Sequence, residues 1–404
     1  MQKMVRLLPL LFMAITASAD LLQNSDFESP PSNLTRNSST APLVLLNQNT
    51  TAIPGWSFEG EVWYVTAGPN ISLPEGSRHA IQLGQDGKIN QTFTANGGLM
   101  DYILTFTLAQ GGQKCLANAT GVIVSAPDSI SNFSLKQGYG KEAWESYGHY
   151  LGSWGDETEA IDLVFQSKTS ESDSNSTCWP TIDTLLLKTV QTIHQDSANL
   201  LVNGGFETGP DFLGNSSKGI LLETEPIPPQ SALQQWSVMG TVKYIDSKHY
   251  FVPEGKAAVE IVSGVSSGVQ TAAVLMEGLN YNLAFTLGDA NDSCLGDFLV
   301  GAQAGSAIQN FTVKSSGTGS AKKFSMDFKA ESSSTLISFI SYTSSQTKDG
   351  VFCGPVVDDV VLTASSRSHG QKLEPHCCFL VHLFLLGTLM LLMNERLDLA
   401  HVLS

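Results

Sequence analysis

The sequence predicts an all-β chain folded as two tandem β-sandwiches, and three observations predict it. The first is a duplication. Leu22-Gln23-Asn24-Ser25-Asp26-Phe27-Glu28 returns as Leu201-Val202-Asn203-Gly204-Gly205-Phe206-Glu207. Trp56-Ser57, Pro74-Glu75-Gly76 and the run Tyr102 to Leu108 return in order as Trp236-Ser237, Pro253-Glu254-Gly255 and Tyr281 to Leu287. Each copy closes on Cys-x-Pro-x-x-Asp, at Cys178 to Asp183 and Cys353 to Asp358. The offset from Leu22 to Leu201 is about 179 residues, so each copy is a whole domain rather than a solenoid repeat. The second observation is a series of short β-rich runs broken by Gly, Asn, Ser and Pro. The third is that neither copy carries a long amphipathic helical pattern.

The elements follow in order. Residues 1–19 read as a secretory signal peptide: Lys3 and Arg6, an apolar run from Leu7 to Ile15, then Ala17-Ser18-Ala19 for cleavage. That run is too short to span a bilayer. The first sandwich takes 20–188, with strands at Val62 to Val65, Tyr102 to Leu108, Gly121 to Val124, Ala160 to Phe165 and Ile182 to Leu187. A polar linker, 189–198, is short enough that the two domains pack together. The second sandwich takes 199–363, with strands at Thr241 to Ile245, Tyr281 to Leu287, Asp297 to Ala302, Phe324 to Phe328, Leu336 to Tyr342 and Val356 to Leu362. Ser315 to Ser320 and Ser332 to Thr335 read as loops. The tail, 364–404, offers small residues for a lipid (GPI) anchor at Ala364 or Ser365, a polar spacer and an apolar run from Cys377 to Met393. It then continues to Ser404, past where such signals end, and a short membrane-spanning helix is the alternative.

The rest of the composition agrees with an extracellular chain. Glycosylation sequons begin at Asn33, Asn37, Asn49, Asn70, Asn90, Asn118, Asn132, Asn175, Asn215, Asn291 and Asn310. Four of the six cysteines fall in equivalent places, and one bridge per domain pairs Cys115 with Cys178 and Cys294 with Cys353. Each bridge closes a loop of roughly 60 residues, stabilising by about 3–4 kcal/mol in the chain-entropy model. No cysteine or histidine spacing suits zinc. The formal charge of −16 excludes nucleic acid and a polybasic membrane patch, and would repel a polyanionic polysaccharide at long range. It attracts basic proteins, with a strength that falls as salt rises.

Few residues point to chemistry. Gly264-Val265-Ser266-Ser267-Gly268 matches the nucleophile pattern of serine hydrolases, but it runs on into a strand and no histidine follows in its domain. It reads as a turn. Glu28 with Asp183, and Glu207 with Asp358, sit near the start and end of each copy, where a jelly roll brings its first and last strands together. Two readings stand for them: a structural calcium, and plain hydrogen bonding at a turn and sheet edge. No other cofactor is required. Trp56 and Trp236 read as core. Trp144, Tyr147, Tyr150 and Trp154, in a Gly-rich stretch, read as loop aromatics, and with Tyr250 they supply candidates for stacking on sugar. Of these, Trp144, Tyr147, Trp154 and Tyr250 are the carbohydrate-binding candidates.

The opening Asn199 to Glu207, Val252-Pro253-Glu254-Gly255, Gly288 to Cys294 and Cys353 to Val360 together resemble a plant cell-wall family, domain of unknown function 642. The resemblance covers about Asp20 to Leu362, with the motifs in order. It departs in copy one, where Cys178-Trp179-Pro180-Thr181-Ile182-Asp183 and Asn24-Ser25-Asp26-Phe27-Glu28 stand for the family's patterns. The resemblance implies two tandem galactose-binding-like jelly-roll sandwiches, secretion to the cell wall and binding to wall polysaccharide of the pectin or cellulose class. It further implies association with pectin methylesterase and no catalytic activity. The alternative is a cell-surface protein-interaction or signalling module with no carbohydrate ligand.

Overall fold

A computed structural model of the chain describes residues 21–33, 42–69, 71–111, 121–136, 138–140, 143–168, 179–191, 198–214, 218–224 and 231–365. Every regular element among them is a strand. Copy one contributes β1 (Leu43–Leu45), β2 (Ser57–Glu59), β3 (Val62–Thr66), β4 (His79–Leu83), β5 (Lys88–Ala95) and β6 (Met100–Ala109). It continues with β7 (Gly121–Ala126), β8 (Ser129–Ser134), β9 (Trp144–Trp154), β10 (Glu159–Ser167) and β11 (Thr181–Val190). Copy two contributes β12 (Ile220–Glu223), β13 (Ser237–Met239), β14 (Thr241–Asp246), β15 (Ala257–Ile261), β16 (Ser267–Val274) and β17 (Asn280–Asp289). Then come β18 (Gly296–Ala304), β19 (Ala307–Ser315), β20 (Ser320–Lys329), β21 (Ser334–Ser341), β22 (Ser345–Gln346), β23 (Phe352–Cys353) and β24 (Val356–Ala364).

Each copy builds the same jelly-roll sandwich. In copy one, β1-β3-β4-β11-β6-β9 faces β2-β5-β10-β7-β8; in copy two, β12-β14-β15-β24-β17-β20 faces β13-β16-β21-β18-β19. The two six-stranded halves run on as one 12-stranded sheet. They join where β9 pairs in parallel with β12, through Tyr147 and Leu221. Alternation of inward apolar and outward polar residues explains the strands that face solvent. In β5, for example, Ile89, Phe93 and Ala95 are buried while Thr92 and Thr94 are exposed. The predicted fold class and the named strands are all present.

The main difference lies in β9. The stretch from Trp144 to Trp154 is a long strand, not a loop, and all of it except half-buried Ser153 is buried. Its polar, Gly-rich sequence carries no period-2 signal because both faces are covered. One face packs on the core of copy one; on the other, a Cβ at Gly148 would meet Leu222, Pro210 and Ile220 of copy two. Each core correspondingly borrows from the other copy, Leu221 in the first and Ile103 in the second. Gln234 Nε2 donates to Asp101 Oδ2 at 3.3 Å, and Thr105 Oγ1 to the carbonyl of Asp211 at 2.8 Å.

Smaller differences follow. Ser334 and Thr335, read as loop, begin β21, and Ser315 and Ser320 close β19 and open β20. Thr189 and Val190, read as linker, finish β11. The Cys294–Cys353 disulfide is present, with its Cα atoms 5.9 Å apart. The signal peptide, Cys115, Cys178, Asn37, Asn70, Asn118, Asn175, Asn215 and the tail beyond Ser365 lie outside the described residues. Asn33, Asn49, Asn132, Asn291 and Asn310 are exposed and Asn90 is half-buried. Ala364 is exposed at the end of β24, and Ser365 follows it half-buried.

Candidate functional site

Each copy carries a loop clamp, and a cleft opens where the two copies join. The clamp explains the duplicated motifs. Asn203 and Phe206 take positive φ of 52°, as Asn24 and Phe27 do at 47° and 52°, forming a tight turn before the first strand. The Asn203 side chain donates to the carbonyl of Thr208 at 2.7 Å and accepts its N–H at 3.0 Å. Phe206 is then driven into the core, 5.1 Å from the Trp236 ring, and Tyr244 Oη donates to its carbonyl at 2.9 Å. Trp56 and Trp236 are buried, as expected of core residues.

That turn aims Glu207 at the Pro-Glu-Gly loop. Its carboxylate accepts the N–H groups of Lys256 at 2.9 Å and Ala257 at 3.5 Å. Asp358, at an irregularity in the pairing of β17 with β24, accepts from Glu254 N–H at 2.9 Å and Asp359 N–H at 2.7 Å. In copy one, Glu28 accepts from the N–H of Arg78 at 2.6 Å and His79 at 3.0 Å, and its other oxygen lies 2.9 Å from His79 Nδ1. Asp183 accepts from the Ser77 hydroxyl and from Thr184 N–H at 2.7 Å. Gly255 is obligatory: its φ is +68°, and a Cβ there would sit 1.9 Å from Glu207 Oε1.

Glu28 and Asp183 thus bond neighbouring residues of one loop, as do Glu207 and Asp358, although the glutamates come from turns rather than first strands. Burial raises the Asp183 and Asp358 carboxyls to about 7, and the neighbouring glutamate adds to it in each copy. At Glu28 burial also pushes upward, but the N–H donors of Arg78 and His79 outweigh it and leave the carboxyl below its ordinary value. These oxygens meet N–H and O–H donors, the reverse of the oxygen shell a calcium ion needs. Among the described residues no group of three His, Cys, Asp or Glu side chains is arranged to hold a metal. The donor set does not fit the calcium expectation; it is that of a hydrogen-bonded clamp.

Three of the aromatic candidates need correction. Trp144, Tyr147 and Trp154 are 6%, 0% and 4% exposed on β9, so none presents a face to a sugar. Tyr147 Oη donates to the Ser134 carbonyl at 2.9 Å, and Trp154 Nε1 to Asp128 at 2.8 Å. Tyr150 is buried on the same strand. Tyr250 is different: it is half-buried, accepts Gly219 N–H at 3.1 Å, and lines a cleft. Gly264 to Gly268 is a strand–turn–strand connection, with Ser266 exposed at φ 67° and β16 beginning at Ser267. It lacks the strand-to-helix elbow that hydrolase chemistry needs.

The cleft encloses about 680 Å³ at the loop end of the second sandwich, within the range of small-ligand sites. Copy one supplies a wall through Tyr139 and Glu145; copy two supplies Tyr250, Asp292 and the 347–351 loop. The Cys294–Cys353 bridge ties the turn after β17 to the small β22–β23 hairpin at the rim. Phe352 N–H donates to Gly138 carbonyl at 2.5 Å, and its ring lies 5.4 Å from Tyr139. The floor is charged. Lys243 and Glu260, directly opposite on β14 and β15, approach to 3.5 Å, with side chains 9% and 0% exposed. Sequence reading missed this pair, yet a signal existed: one ionisable residue in the middle of each apolar run, Thr-Val-Lys-Tyr-Ile-Asp and Ala-Ala-Val-Glu-Ile.

Comparison with known proteins now adds the lineage. The family described as "Protein of unknown function (DUF642)" matches residues 20–188 and 199–363. The chain belongs to the DUF642 family. Relatives in Arabidopsis thaliana include Protein DUF642 L-GALACTONO-1,4-LACTONE-RESPONSIVE GENE 2, 32% identical over 85% of this chain and 90% of that protein. Protein TEEBE is likewise 32% identical, over 85% and 90%. Among solved structures, TmCBM61 in complex with beta-1,4-galactotriose is matched over 42% of this chain and 100% of that one, at 20% identity and a TM-score of 0.28. The tandem CBM22-1-CBM22-2 of Paenibacillus barcinonensis Xyn10C is matched over 78% and 94%, at 11% identity and a TM-score of 0.26. Within this DUF642 chain the two copies differ where the cleft forms. The β3–β4 pair equivalent to Lys243 and Glu260 is Trp63 and Gln82, so only copy two places an ion pair there.

Proposed function

We propose that this chain is a non-enzymatic, secreted plant cell-wall protein that binds wall polysaccharide and associates with pectin methylesterase. The observation that supports it best is the cleft of about 680 Å³, where tyrosines from both copies stand among polar and charged groups. Flat rings beside hydrogen-bonding side chains suit a hydroxyl-rich ligand. Family membership adds to this through its Arabidopsis relatives. In this reading the signal peptide sends the chain to the wall, the tail holds a fraction at the plasma membrane, and the acidic surface of net charge −16 draws basic wall enzymes.

A second reading has its own observation. Val274 and Met276 are 83% and 69% exposed beside exposed Leu336, an apolar strip suited to a protein ligand. A pull-down of the secreted chain on insoluble pectin and cellulose, with wall extract in parallel, tests both. Retention on polysaccharide without released sugar supports the first; capture of proteins alone supports the second and removes the first.

A further inference from the structure

The charged floor of the cleft has no structural need to be charged, since copy one closes the same position with Trp63 and Gln82. Replacing an ion pair by such neutral groups commonly leaves a fold as stable or more so. Lys243 Nζ lies 3.5 Å from Glu260 Oε2, while Glu260 Oε1 accepts Gly354 N–H at 3.0 Å and its carboxyl also hydrogen-bonds the Asp292 side chain. Lys243 lines the cleft, which places its donors where a ligand would sit.

We propose that this cleft binds a neutral polysaccharide, seating the adjacent hydroxyls of one sugar unit between Lys243 and Asp292, and that it disfavours uronate chains. The inference rests on the polysaccharide reading above and narrows its ligand class. A hydroxyl both accepts and donates, so two neighbouring hydroxyls complete an ammonium and a carboxylate together. A uronate carboxylate only accepts; it would suit Lys243 but oppose Asp292 and Glu145. The charge count points the same way. Lys218, Lys243 and Lys348 stand against Glu145, Asp292 and Asp349, with Glu260 behind them, giving a formal charge of −1 in a chain of −16. Tyr250 and Tyr139 supply flanking rings.

The test is calorimetric titration of the full secreted chain with β-1,4-linked gluco-, xylo- and galacto-oligosaccharides and with oligogalacturonate. A companion Asn291→Gln protein keeps a glycan at the cleft-side sequon from masking the result. At least one neutral oligosaccharide is expected to bind, with oligogalacturonate tenfold weaker or more. The double variant Lys243→Met/Glu260→Gln, neutral as copy one is at this position, should weaken neutral-sugar binding at least tenfold while circular dichroism is unchanged. If that variant does not fold, Asp292→Asn at the half-buried rim carries the same expectation. Preference for oligogalacturonate, or neutral-sugar affinity unchanged in the variants, overturns this inference and leaves the polysaccharide reading standing. Absence of binding to every sugar overturns both.

Discussion

Asp183 and Asp358 occupy the same place in each copy, both buried and both facing a glutamate across a loop. Their carboxyls are raised to about 7 from an ordinary 3.8, chiefly by burial. Between those values the folded chain holds a proton that the unfolded chain has released. The contribution of these two groups to stability is therefore greatest below about pH 4, falls as pH rises towards 7, and levels above it. Each group accounts for on the order of 2 kcal/mol of that fall, given about 1.4 kcal/mol per pKa unit and some relaxation on ionisation. The expected melting temperature is higher at pH 5 than at pH 7.5, and Asp358→Asn, which keeps an acceptor for Glu254 N–H, should flatten the slope. A melting temperature that climbs from pH 5 to 7.5 contradicts the assignment. The duplication revealed the importance of these aspartates from sequence; their protonation behaviour needed the burial.

At the scale of elements, the clamp decides what the repeated motifs are for. The N-G-x-F-E turn, the Pro-Glu-Gly loop and the closing aspartate are three remote segments that become one hydrogen-bonded unit. Removing the Glu207 carboxylate as Glu207→Ala leaves the Lys256 and Ala257 N–H groups without it, and should cost about 1–3 kcal/mol by denaturant titration. Chelation is the opposing test: EDTA should leave the melting temperature of the wild type unchanged, and a drop of several degrees would restore a cation at the glutamate–aspartate pair. Strand β9 was illegible for a definite reason. Period-2 patterning marks strands with one wet face, and this one has none.

Over the whole molecule, the copies share one 12-stranded sheet and exchange core residues at the β9–β12 seam. Unfolding of the full chain should accordingly show a single calorimetric transition, and expression of residues 20–190 alone should yield an unstable or aggregating product because β9 loses its cover. Two well-separated transitions would show the copies to be independent. The outer edge of copy two, by contrast, is guarded: Lys322 and Lys323 stand exposed on β20, as edge strands that avoid further pairing commonly require.

The sequence by itself determined the two sandwiches, their strand-forming runs, the second copy's disulfide and which duplicated glutamates and aspartates to look for. These are signals of local pattern and duplication, readable because each copy must bury one face of every strand. The fate of Trp144, Tyr147 and Trp154, and the existence of the cleft with Lys243 and Glu260 on its floor, were decided only by the tertiary structure. Both depend on how one copy lies against the other. Burial on the second face of a strand, and the wall that Tyr139 and Glu145 of copy one lend to the cleft, arise from contacts between segments far apart in the chain, which no local period encodes.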